Sequence, residues 1–166
     1  PVMFMNKTLL FLSAGLILAS SASAAPGDLV TAFGANGISA TPQNMQNGEC
    51  TVVSQLSDGR ILTGSTVQTG ATEYRVIVSR LLEDGSLDTS FGTSGAVQLS
   101  GIGASTPQLA SIVALLQRSD NRISVAVAVA GGAAVRVLTQ DGVEVPGLGF
   151  SYASLPTGRL NCAILG

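Results

Sequence analysis

The side chains with the most obvious chemical potential are three carboxylates, Glu83, Asp84 and Asp88, within the short stretch EDGSLD. Two carboxylates at close range can serve as acid and base in the hydrolysis of a glycoside. Asp84, however, stands in an Asp-Gly pair and Asp88 in a repeated phrase, where side chains that cap turns are common. A calcium loop needs an Asp-x-Asp-x-Asp-Gly pattern, which is missing. We therefore interpret this cluster as structural and expect no metal and no other cofactor.

The composition argues against other reaction centres and against one class of partner. The 166 residues include no histidine, which excludes a serine or cysteine nucleophile activated by histidine and leaves zinc without a plausible site. Without residues 1–24 the chain has seven arginines, none in a cluster, against ten carboxylates, a net charge of −3. Nucleic acids need a concentrated basic face, so we expect none as a partner. An unknown protein or surface partner stays open.

One phrase occurs twice, as GDLVTAFGANG at 27–37 and GSLDTSFGTSG at 85–95. The stretch VVSQLSDGRIL at 52–62 also returns as ALLQRSDNRIS at 114–124. A fixed period indicates a repeat architecture. The copies are 27–84, 85–141 and a partial third copy at 142–166. The spacing of Phe33, Phe91 and Phe150 by 58 and 59 residues assigns all three to one position of the repeat.

Each copy has the pattern of short strands joined by tight turns. RISVAVAVA at 122–130 alternates branched and small residues, which is typical of a strand. Asp-Gly pairs at 58–59, 84–85 and 141–142 are strong signals for turns between antiparallel strands. The apolar residues between 109 and 116 would also fit one face of a helix, but the matching stretch CTVVSQL at 50–56 is rich in β-branched residues, so we predict a strand. The expected fold is all-β and antiparallel.

The glycines and phenylalanines of the repeated phrase suggest a structural role. A buried aromatic ring can anchor the crossing from one sheet to the next, for which Phe33 and Phe91 are the candidates. Glycine permits a positive φ at the turn, a role that suits Gly34, Gly37, Gly92 and Gly95. A phosphate-binding loop would need a following lysine and the start of a helix, and the sequence provides neither.

The phrases DGSLDTSFGTSG and LSDGRILTGS resemble the delta-60 repeat family of bacterial exported proteins, whose repeats are similar to the blades of a β-propeller. The resemblance covers residues 27–141. Copy one departs from it at Val30, where copy two has Asp88, and copy three has VEVPGLGFSYAS in place of the phrase. The resemblance implies blade-like antiparallel repeats, arranged as an incomplete β-propeller or a small β-sandwich.

The resemblance and the lack of a reaction centre favour an exported, non-enzymatic repeat module for binding or structural scaffolding. Two alternatives stay open. One is a secreted hydrolase or lyase that uses carboxylates on a propeller face, and the other is a fragment of a larger propeller protein. Catalytic carboxylates would converge in one pocket, whereas carboxylates that cap turns would be spread over the copies.

Residues 1–24 have the pattern of a secretory signal peptide. Lys7 precedes an apolar run from Leu9 to Leu18, and Ala22-Ser23-Ala24 forms a small-residue cleavage site. The alternative is an uncleaved membrane anchor, because the uncharged run is barely long enough to span a bilayer. Cleavage would leave residues 25–166 as one β-repeat domain in a secreted or periplasmic location.

The number of copies constrains the assembly. Propellers close with about four to eight blades, and isolated end sheets leave apolar surface exposed. Two copies and a partial third are too few for a closed ring. We expect either self-association or a third copy that folds back over the first.

Cys50 and Cys162 are the only cysteines, and an exported chain enters an oxidising compartment. We predict that they form a disulfide, which would close a loop of about a hundred residues and contribute roughly 4–5 kcal/mol in the chain-entropy model. The alternative is two buried thiols. Peptide mapping without reductant should recover the linked peptides from exported protein. Two thiols that both alkylate in the folded, oxidised protein would contradict the prediction.

Overall fold

The chain folds into two antiparallel sheets in the computed structural model, which describes residues 28–39, 46–71, 73–104, 110–129 and 132–152. The first sheet contains four strands in chain order, namely β1 (Gln46–Gln55), β2 (Ile61–Gln68), β3 (Tyr74–Leu81) and β4 (Ala96–Ala104). The second contains β5 (Ala110–Gln117), β6 (Ile123–Val129), β7 (Gly132–Leu138) and β8 (Phe150–Tyr152). The prediction of an all-β, antiparallel fold is confirmed. Within the described ranges no helix has the length and apolar character needed to cross a membrane.

Strand β5 occupies the stretch whose apolar residues also fitted a helix, so the prediction of a strand there is confirmed. Its pairing with β6 has an irregularity between Ile112 and Ala114. The irregularity shifts the alternation, and the buried residues become Ala110, Ile112 and Leu115. The apparent helical stripe therefore does not mark one buried face, because Leu116, which belongs to the stripe, is 40% exposed.

Four tight turns share one geometry. They span Leu56–Arg60, Leu82–Ser86, Arg118–Arg122 and Thr139–Val143, and each has the same pair of backbone hydrogen bonds across it. The fourth residue of each turn has a positive φ, which glycine provides in three turns and Asn121, with φ of 63°, provides in the other. Only the glycine of each Asp-Gly pair needs the left-handed conformation, so the aspartate is free to cap the turn.

The two sheets pack face to face, with β5 lying across β1 and β2. The hydroxyl groups of Thr51 and Thr66 donate to the carbonyl oxygens of Ile112 and Ala110, both at 2.8 Å. A Cβ atom added to Gly64 would lie 2.8 Å from Ile112, so the missing side chain allows β5 to approach. The core between the sheets includes Leu62, Val76, Val78, Val97 and Leu99 of the first sheet and Val125, Val127 and Leu138 of the second.

The sheets are offset from the copies of the sequence. The first sheet takes β4 from copy two, and the second takes β8 from copy three. The opening residues of each copy thus complete the sheet of the preceding copy, which links successive sheets along the chain. Residues 1–24, for which a signal peptide is predicted, and the remainder of copy three, 153–166, lie outside the described residues.

Candidate functional site

The three carboxylates singled out from the sequence have different surroundings. Asp84 is exposed and accepts hydrogen bonds from the backbone N–H of Ser86 at 2.9 Å and from its hydroxyl at 2.6 Å. These bonds lower the pKa of Asp84 and hold the turn. Glu83 is exposed beside the same turn, whereas Asp88 is buried. In the part of the chain that the structure describes, no three His, Cys, Asp or Glu side chains are grouped as ligands for a metal ion.

Asp88 is the centre of a buried charged network and is only 6% exposed. One carboxylate oxygen accepts from Arg80 Nε at 2.7 Å and from the Arg60 guanidinium at 3.3 Å. The other accepts from the backbone N–H of Ser90 at 3.1 Å and from its hydroxyl at 2.6 Å. Burial alone would raise the pKa of Asp88, but the hydrogen bonds from Ser90 and Arg80 outweigh it and lower the pKa to about 2.

Arg80 is the largest fully buried side chain among the described residues. Besides Asp88, its guanidinium donates to the Ser90 hydroxyl at 3.1 Å and to the carbonyl oxygen of Gln140. It also lies over the ring of Phe91, 4.7 Å from the ring centre, a cation–π contact. We call Arg80, Asp88, Ser90, Phe91 and Gln140 the Arg80 cluster. It joins β3, the repeated phrase and the turn at the end of copy two.

A backbone hydrogen bond connects each complete copy to the turn that follows it. The N–H of Gly92 donates to the carbonyl oxygen of Asp141 at 2.8 Å. The equivalent N–H of Gly34 donates to the carbonyl oxygen of Asp84 at 2.6 Å. The Phe-Gly near the start of each complete copy is thus bound to the Asp-Gly turn at the boundary with the next copy, an arrangement that we call the clasp.

In each clasp the phenylalanine ring lies against the glycine of the Asp-Gly turn. A Cβ atom added to Gly142 would come within 2.9 Å of the Phe91 ring, and one added to Gly85 would come equally close to the Phe33 ring. Phe91 is completely buried, whereas Phe33 is half-buried. Glycine in the turn therefore serves two purposes, because it allows the positive φ and leaves room for the ring.

The glycines of the repeated phrase adopt the conformation that the sequence suggested. Gly34 and Gly92 have φ of 55°, and Gly37 and Gly95 have φ of 88° and 93°. Non-glycine residues also take positive φ in these turns, Asn36 at 56° and Ser94 at 53°. No pattern in the sequence singled out these two.

The assignment of Phe150 to the same repeat position as Phe33 and Phe91 is wrong. Phe150 begins β8, pairs with Val135 and is 54% exposed. Leu148 stands in the position of Phe91, because its N–H donates to Val145 as that of Phe91 donates to Asp88. Copy three lacks the Phe-Gly-x-x-Gly turn, so the chain enters its strand sooner and the sequence spacing misleads.

Arg80 is the important residue that sequence reasoning missed. In the second sheet the equivalents of Arg80 and Asp88 are Val137 and Val145, which repeat the same backbone hydrogen bond at 2.8 Å instead of 2.9 Å. The ion pair thus belongs to the first sheet alone. The sequence did contain a signal. Arg80 stands in the apolar run VIVSRLL, where the next copy has Val137, and Asp88 is likewise replaced by Val145 in the copy that follows it.

Only one of the two cysteines lies within the described residues. Cys50 is exposed on β1, and Cys162 lies outside the described residues. Exposure of Cys50 does not fit the alternative of two buried thiols. The Cys50–Cys162 bridge stays a prediction.

Comparison with known proteins supports the class of fold. Residues 56–91 match the model of a family described as a domain of unknown function (DUF5122) beta-propeller. The matched segment contains β2, β3 and the phrase as far as Phe91, and so includes Arg80 and Asp88. No curated protein and no solved structure matches the chain. The sheets and this match together define a β-propeller-like repeat protein.

Burial at the clasp predicts unequal effects of two matched substitutions. Phe91→Ala should lower the free energy of unfolding by roughly 3–5 kcal/mol, the usual cost of emptying a buried aromatic site. Phe33→Ala should cost clearly less, because the ring is half-buried. Denaturant titration measures both. Equal losses for the two variants would show that burial at the clasp does not determine the contribution of the ring.

The valine pair of the second sheet predicts which changes the Arg80–Asp88 pair tolerates. Arg80→Met or Asp88→Val alone leaves a buried charge without its main partner and should cost about 3–5 kcal/mol. The double variant should be more stable than either single variant, because two apolar side chains need no partner. Unfolding in urea gives the coupling free energy. Additive losses would mean that the two residues do not stabilise the fold as a pair.

The low pKa of Asp88 predicts an acid-sensitive fold. Because the pKa falls from 3.8 to about 2 on folding, its contribution should be complete above about pH 4 and should be lost as the pH falls to 2. The loss should be on the order of 1–2 kcal/mol. Asp88→Asn should flatten the dependence of stability on pH in this window, and the exposed Asp120→Asn serves as the control. An unchanged slope in Asp88→Asn would contradict the assignment.

Proposed function

We propose that this chain is an exported, non-enzymatic repeat module of the delta-60 type that serves in binding or structural scaffolding. The observation that carries the proposal is the use of the repeated phrase to join one copy to the next. Both clasps bind the Phe-Gly of one copy to the Asp-Gly turn at the boundary between that copy and the next. The most distinctive residues of the sequence are thereby assigned to assembly of the fold.

Assignment to the delta-60 repeats is supported by the phrase itself and by its place in the fold. The propeller family model matches residues 56–91, which lie within the two copies that carry the resemblance. The turn Phe-Gly-x-x-Gly and the Asp-Gly pair are the two halves of each clasp. A repeat that encodes both halves can be added in tandem, as a propeller requires.

The carboxylate arrangement disfavours a hydrolase or lyase. Asp84 holds its own turn through Ser86, and Asp88 accepts four hydrogen bonds inside the Arg80 cluster. A catalytic acid at neutral pH needs a raised pKa, whereas the pKa values of both aspartates are lowered. The carboxylates are therefore better suited to capping and ion pairing than to acid catalysis.

Export is proposed from the pattern of residues 1–24. In a bacterial host, the full chain should accumulate outside the cytoplasm with Ala25 as its first residue, as N-terminal sequencing can establish. A variant without residues 1–24 should remain in the cytoplasm and serves as the control. Recovery from the membrane fraction with residues 1–24 still attached would support the uncleaved anchor instead.

The non-enzymatic role is tested with carboxylate variants on a panel of polysaccharides and chromogenic glycosides. The purified protein should release no product, and Glu83→Gln and Asp84→Asn should behave like the parent. Turnover that either variant abolishes without changing the melting curve would establish a carboxylate enzyme.

Light scattering at two concentrations tests scaffolding, because self-association should raise the mean mass. A monomer at both concentrations would favour a binding role.

A further inference from the structure

A small pocket lies at the outer edge of the second sheet, where β7 is followed by the segment 144–149 and β8. Its volume is about 290 Å³, and Arg136, Glu144, Pro146, Phe150 and Ser151 contribute to its lining. This volume is just below the range of about 300–1,000 Å³ that is usual for small-molecule sites. The pocket is therefore large enough for one sugar ring or a similar compact ligand. It lies apart from the Arg80 cluster.

Arg136 differs from every other arginine that the structure describes. The other five each lie within 4.0 Å of a carboxylate oxygen, whereas Arg136 has no such partner in the described ranges. Its NH1 group donates to the carbonyl oxygens of Val135 and Phe150, at 3.1 and 3.3 Å, and to the Ser151 hydroxyl at 3.1 Å. The backbone thus fixes one side of the guanidinium.

The opposite edge of the Arg136 guanidinium, formed by Nε and NH2, has no acceptor among the described residues. These two groups point in nearly the same direction and match the two oxygens of a carboxylate. Because NH1 is already held in place, little side-chain freedom would be lost on binding. The chemistry of this edge selects a ligand that carries a carboxylate.

The other walls of the pocket suit the remainder of a sugar acid. Phe150 lines the pocket and is 54% exposed, so its ring offers an apolar surface to the C–H face of a sugar. Glu144 is held by the backbone N–H of Ser100 at 2.6 Å and by its hydroxyl, which leaves acceptor capacity for ligand hydroxyl groups. The Ser151 hydroxyl adds a further polar group.

We propose that this pocket binds a hexuronic acid, with the ligand carboxylate on the Nε–NH2 edge of Arg136 and the sugar ring against Phe150. The ligand hydroxyl groups donate to Glu144. The net negative charge of the chain repels a long polyanion, so a single terminal uronate is the fitting ligand. The inference does not rest on the scaffold role, because the residues that form the clasps are different from those that form the pocket.

Titration of the full-length protein with D-glucuronate, followed by its amide NMR spectrum, tests the proposal. Amide shifts should cluster at residues 144–151, and D-glucose, which lacks the carboxylate, should produce none at the same concentration. Acetate, which lacks the ring, should bind more weakly than glucuronate. No glucuronate shifts in this segment would overturn the proposal. Equal affinity for acetate and glucuronate would overturn the assignment of a sugar.

Three arginine variants locate the carboxylate contact. Arg136→Met should weaken glucuronate binding by about tenfold or more, as expected for the loss of a charge-assisted pair. Arg136→Lys keeps the charge but not the two-donor edge, so it should also bind weakly, and it protects the test if the Met variant fails to fold. Arg75→Met, in the first sheet, is the matched control and should bind as the parent does. Unchanged affinity in the folded Lys variant would refute the role of Arg136.

Discussion

The buried guanidinium of Arg80 imposes a strict requirement on its neighbours, because each N–H group removed from water needs an acceptor. The three acceptors come from two different parts of the chain: Asp88 and Ser90 in the repeated phrase, and the carbonyl oxygen of Gln140 at the end of copy two. The Arg80 backbone adds to this, since its N–H donates to Gly95 and its carbonyl accepts from Asp88. One residue therefore fixes the phrase on β3 and the next turn on the phrase.

The second sheet meets the same geometric requirement without charges, through Val137 and Val145. A buried ion pair and a well-packed apolar pair can have similar net stability, because the desolvation of the charges offsets their attraction. The two differ in directionality. The ion pair binds Gln140 and stacks on Phe91, and so it defines where the next turn docks. The valine pair provides packing alone, and the segment after it follows a shorter path.

The sequence was most informative where one local rule repeats. The period of the phrase, the Asp-Gly turns and the strand alternation led to an all-β fold, because each follows from backbone conformation and can be read within a few residues. Arg80 was missed because its importance depends on contacts with Asp88 and Gln140, of which Gln140 lies 60 residues away in the chain. Phe150 was misplaced because equal spacing does not imply equal position once a turn has been lost. Asp88 was interpreted as a turn cap only. One of its carboxylate oxygens does cap the turn by accepting from Ser90, but the other accepts from Arg80.

Copies two and three differ in the turn Phe-Gly-x-x-Gly, and this difference decides whether the phenylalanine of the copy is buried or exposed. In copy two the turn Phe-Gly-x-x-Gly places Phe91 beneath the docking glycine, and the ring is fully buried. In copy three the turn is missing, so β8 begins with Phe150, and the ring lies at the sheet edge beside Arg136. The counterpart of Arg136 in the first sheet, Ser79, is 1% exposed and has no charge to offer. Loss of the turn in copy three thus brings an aromatic ring beside Arg136 of copy two, and the proposed ligand site forms where these two copies meet.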